Sequence, residues 1–109
     1  MKNRRNVSVD GADYHWMQCD RGGVVQCSSG NGSKLRIDPF GPITYDIIPH
    51  AIRFAISNGW MPAESGPAFW IGYTCLEDYR YRFVLRNADD APFWSDPNRA
   101  QIVSDLISK

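Results

Sequence analysis

The first forty residues alternate apolar and polar positions in short runs broken by turn signals, the period-2 pattern of antiparallel strands. In "NVSVDG", Val7 and Val9 share a side; in "DYHWMQC", Tyr14 and Trp16 share one face while His15, Met17 and Cys19 share the other. "DRGG" supplies a turn, and "VVQCS" and "KLRID" are the next two runs. Between them, Asn31-Gly32 suits the two positive φ angles of a type I′ hairpin turn. The pattern predicts a meander of three or four strands.

Within "GPITYDIIPHAIRFAISNGW" the period lengthens, with Ile47, Ile48, Ala51, Ile52, Ala55 and Ile56 recurring at helical spacing. Thr44 is the expected N-cap, Ile43 and Ile48 hold the two positions of a hydrophobic staple, and Asp46 falls in the positive first turn. Pro49 conflicts with a helix beginning at Tyr45, because its ring clashes with the preceding turn. The regular helix is therefore expected to start near Ile48 or to carry a distorted first turn. Asn58-Gly59 is the expected stop: Gly59 takes the left-handed conformation, Trp60 folds back on the helix, and Pro62 prevents resumption.

"ESGP" then turns the chain into two further strands. If Leu76, Glu77 and Asp78 form a three-residue loop, Cys75 faces Tyr79, Tyr73 faces Tyr81, Ile71 faces Phe83 and Phe69 faces Leu85, a largely apolar side. The other side pairs Trp70 with Val84, Gly72 with Arg82, Thr74 with Arg80 and Ala68 with Arg86. After the polar stretch "NADDAPFW", Ser95 or Asp96 caps a closing helix with Pro97 in its first turn and an apolar stripe of Ile102, Val103, Leu106 and Ile107. The sequence predicts one α+β domain over residues 1–109, with residues 1–6 as a flexible tail. Its elements run β-β-β-β-α-β-β-α, an antiparallel sheet of five to six strands with two helices packed on one face. Strand order does not follow from the pattern.

Composition narrows the function. Hydrophobic residues at 43% supply a core without metal or disulfide staples. Twelve basic residues balance twelve acidic ones, so no overall field draws the chain to nucleic acid or an anionic membrane. No apolar run of about 18 residues occurs, and no apolar segment follows the basic start, which predicts a cytoplasmic protein without membrane contact. Three cysteines, an odd number, fit reduced thiols.

Catalytic patterns are missing. His15, Cys19 and Cys27 lack a zinc-ligand spacing, and no cysteine near His50 sits in a nucleophile turn. Asp89-Asp90 and Glu77-Asp78 read as solvated loop acids, and the glycine-rich "RGG" and "SGNGS" lack the strand–loop–helix setting of a phosphate loop. The expectation is no catalytic residue, no metal and no cofactor. The most specific surface feature is the outer side of the last hairpin, where Arg80, Arg82 and Arg86 lie beside Trp70, a combination enriched at hot spots and single-strand binding surfaces. An arginine lying over Trp70 would instead cover it. Trp60 reads as a helix-end anchor, and Trp94 as either a staple of the last helix or an exposed anchor.

The succession of Gly11, Tyr14 and Trp16, then Ile43-Thr44, Gly59-Trp60-x-Pro62, Gly66 and Phe69, resembles small uncharacterised bacterial proteins over residues 7–70. Those often carry Thr-Pro at the helix start, where this chain has Thr44-Tyr45 and a displaced Pro49. The resemblance implies no activity. The reading that follows is a non-enzymatic module binding a protein partner or a second copy through Trp70, Arg80, Arg82, Arg86 and Trp94. Weak single-stranded nucleic-acid binding on the same face and an immunity-type inhibitor are the alternatives.

Overall fold

The structure, a computed structural model, describes residues 4–19, 22–40, 43–75, 81–90 and 92–107. Strands β1 (Arg5–Val9), β2 (Ala12–Cys19), β3 (Gly22–Cys27), β4 (Leu35–Phe40), β5 (Phe69–Cys75) and β6 (Tyr81–Arg86) form one six-stranded sheet whose spatial order is the chain order. Helix α1 (Ile48–Ser57) joins β4 to β5, and α2 (Arg99–Ile107) follows β6. Arg5 and Asn6, expected in a tail, belong to the sheet. Among the described residues no helix is long and apolar enough to cross a membrane.

The fold is α+β, but the sheet is mixed rather than purely antiparallel. Strands β4 and β5 run parallel, with Leu35 beside Phe69 and Ile37 beside Ile71, while the other neighbours are antiparallel. The cause is the connection: a helix between adjacent strands returns the chain to its starting end, so the second strand repeats the direction of the first. At the entry to that crossover, a 3-10 turn over Tyr45–Ile47 precedes α1 and Pro49 sits in α1's first turn, so the proline marks where regular helix begins. Thr44 takes the extended cap conformation, yet its hydroxyl donates to the Asp46 carboxylate instead of accepting a backbone N–H. At the exit Gly59 has φ +109°, and two bonds close the helix: Trp60 N to Ala55 O at 2.9 Å and Gly59 N to Ile56 O at 3.2 Å. This is the paired bonding of a Schellman motif. Trp60 turns inward, 3% exposed, with its ring 6.0 Å from Tyr14 and its Nε1 donating to Ser33 O.

The main core lies between α1 and one side of the sheet. Val7, Val9, Tyr14, Trp16, Val25, Leu35, Ile37, Ile71 and Tyr73 meet Ile47, Ile48, Ala51, Ile52 and Ala55 there. The expectation of both helices on that side does not hold. Phe93, fully buried in a 3-10 turn over Phe93–Ser95, donates its backbone N–H to Asp38 Oδ1 at 3.0 Å. Asp38 alternates with Ile37 and points away from the main core, so the segment after β6 crosses the opposite, outer face. Gly72 makes this possible: a Cβ there would stand 2.9 Å from Val84 Cγ1 and 3.0 Å from the Phe93 ring. The middle of the sheet is thus covered on both sides, the usual setting of parallel strands.

Two turn assignments change. The β5–β6 register pairs Trp70 with Arg86, Ile71 with Leu85, Gly72 with Val84, Tyr73 with Phe83 and Thr74 with Arg82, two residues away from the expected one. The connecting residues 76–80, including the expected Leu76-Glu77-Asp78 loop, lie outside the described residues, as does the "DRGG" turn at residues 20 and 21. Asn31-Gly32 forms no type I′ turn. Positive φ occurs at Gly30, and Gly32 instead backs against the loop after α1, where a Cβ would meet Pro62 O at 1.6 Å. The two successive positive φ angles occur at Asp10 and Gly11, between β1 and β2. α2 starts later than Pro97: Asp96 accepts the Asn98 backbone N–H at 2.8 Å, and the regular helix opens at Arg99 with Leu106 buried.

Candidate functional site

Strand register sets one row of side chains across the outer face. Met17 lies beside Val24, Val24 beside Arg36, Arg36 beside Trp70, and Trp70 beside Arg86. This places Trp70 between two arginines, one of which covers it: the Arg36 guanidinium carbon lies 4.9 Å from the centre of the indole, and Arg36 also donates to Cys19 Sγ at 3.6 Å. Sequence reasoning looked for the covering arginine on β6, whereas the parallel pairing supplies it from β4.

Arg86 does share Trp70's side, but it is not presented to a partner. Its side chain is 5% exposed, with Asp96 Oδ2 at 2.9 Å, Asp38 Oδ2 at 3.7 Å and Asp90 Oδ2 at 3.8 Å. Its guanidinium also lies over the Phe93 ring, 5.0 Å from the centre. Alternation put this arginine on a solvated face, and the C-terminal segment roofs it over. The Asn98 backbone N–H and the Arg86 guanidinium hold the Asp96 carboxyl below the usual range. Arg86 is therefore a clamp between sheet and C-terminal segment, buried where the sequence placed it on a solvated face. Arg82 is half-buried opposite Thr74. Arg80 lies outside the described residues, and Trp94 sits in the 3-10 turn with its side chain outside them.

The remaining outer face, over β1 to β3, holds a hollow of about 420 Å³. Met17 and Val24, adjacent across β2 and β3, are half-buried members of its lining. His15 and Gln26 form the neighbouring pair; His15 Nδ1 shares a 2.8 Å hydrogen bond with Asn6 Oδ1, and Gln26 Nε2 donates to Gly30 O and Gly32 O. Arg4, just before β1, and Lys34, just before β4, are exposed members of the lining, which includes no carboxylate among the described residues. The sequence singles out only His15 among these residues, as a metal-ligand candidate, although Met17 and Val24 are readable as apolar positions opposite the Tyr14 and Trp16 side.

Among the described residues no group of three His, Cys, Asp or Glu is placed to hold a metal ion. His15 and Cys19 share the outer face of β2 but stand four residues apart, about 13 Å along a strand. His50 is exposed on α1, across the sheet from Cys19. No family model, no curated protein and no solved structure matches the chain.

Proposed function

We propose that this chain is a small, non-enzymatic cytoplasmic module that docks a protein partner on the open half of its outer sheet face. The observation that supports this is the hollow over β2 and β3, where Met17 and Val24 sit half-buried between Arg4 and Lys34. Apolar side chains ringed by charge are the common anatomy of a protein contact. Nucleic acid has less to hold, since base stacking needs a free aromatic face and Trp70's carries Arg36. The test is a paired affinity capture from native lysate with the wild-type chain and Val24→Glu. A partner retained by the first and lost by the second, with unchanged far-UV circular dichroism, supports the surface; identical capture profiles remove it.

A further inference from the structure

Among the described residues the hollow is charged in one sense only and at both ends. Arg4 marks its β1 side and Lys34 its β4 side, and no described carboxylate lines it. Between them, Met17 and Val24 offer an apolar patch. Continued by one residue, the register sets the two cations three strand spacings and two residues along the strands apart, about 16 Å between backbones, a span that their long exposed side chains shorten by reaching inward. In an extended chain, residues i and i+4 lie on one side about 13 Å apart, with i+2 midway between them on the same side.

We infer that the hollow takes an extended acidic segment of a different protein, with carboxylates at i and i+4 meeting Arg4 and Lys34 and an apolar side chain at i+2 on Met17 and Val24. A second copy of this chain does not supply that segment, because no two of its acidic residues stand four apart. The inference rests on the protein-docking reading above and adds the chemistry of the ligand.

The test uses the full chain, labelled with nitrogen-15, titrated with three synthetic nonapeptides on a serine and threonine background. One has glutamates at i and i+4 around a leucine at i+2, one has glutamines in their place, and one has the glutamates at i and i+3. The first is expected to shift the amide signals of Met17, Val24 and Gln26 and to bind more tightly than the other two. Arg4→Glu and Lys34→Glu, both at exposed positions, are each expected to weaken it roughly two- to fivefold while leaving the free spectrum dispersed. No shift at millimolar peptide, equal binding of all three, or shifts centred elsewhere overturns the inference. So does equal binding of suberate, a free dicarboxylate, or tighter binding of oligothymidylate. If the peptides fail while capture still depends on Val24, only the ligand class falls; if both fail, the docking surface falls with it.

Discussion

Replacing Arg86 by methionine keeps much of the side chain's bulk and removes the guanidinium beside Asp38, whose own exposure is 0%. Breaking one side of an enclosed ion pair costs about 3–5 kcal/mol, because the remaining charge stays buried. Arg86→Met is therefore expected to lower the unfolding free energy by that amount, read as a drop in the urea midpoint. The same cluster sets an acid limit. Asp96 has a folded-state pKa below its ordinary value of 3.8, so the folded form binds that proton less readily than the unfolded chain. Its contribution is full above the ordinary carboxylate range and is lost as pH falls through 3.8 toward the depressed value. Equilibrium unfolding at pH 6 and pH 3 checks this, and Asp96→Asn is expected to flatten the difference. None of this was readable from Arg86 itself. The available clue was Gly72, a glycine inside an aromatic strand, which often marks the close approach of another segment.

The strands and α1 were legible because each writes its own period. Tyr14 and Trp16 point into the core as alternation requires, and Pro49 placed the start of α1 near Ile48. Register was less legible for the same reason. A two-residue shift between β5 and β6 keeps every side chain on its side of the sheet, so the pattern that assigns faces is blind to it. The end of α1 gives a direct test at this scale. Gly59 sits at φ +109°, where a Cβ costs about 1–2 kcal/mol. Gly59→Ala is expected to destabilise the chain by that amount in thermal or urea unfolding. Among the described residues no atom beyond its chain neighbours stands within 4 Å of the added Cβ, so the loss measures backbone strain without a packing clash.

At the scale of the molecule, the unread features are the long-range ones: the parallel β4–β5 pairing and the use of both faces of the sheet. Local periods carry no information on which strands become neighbours, and the second layer depends on Phe93 meeting a glycine twenty-one residues earlier. Gly72→Ala tests how firmly that layer is held. The methyl would meet Val84 and the Phe93 ring near 3 Å, an overpacking expected to cost about 1–3 kcal/mol. Its specific signature is faster amide exchange along α2 with the α1 amides unchanged, since α1 packs on the other side. Equal loss of protection in both helices would show that the two layers unfold together.

The sheet's spatial order, identical to its chain order, also bears on synthesis. As the polypeptide leaves the ribosome, each strand emerges next to the edge that the previous one has just presented, and none must wait for a later segment to be inserted between existing neighbours. That order allows the sheet to be completed by addition at one side only, from β1 toward β6. The clamp around Arg86 needs Asp96 and Phe93, so it locks only after the last strand is in place.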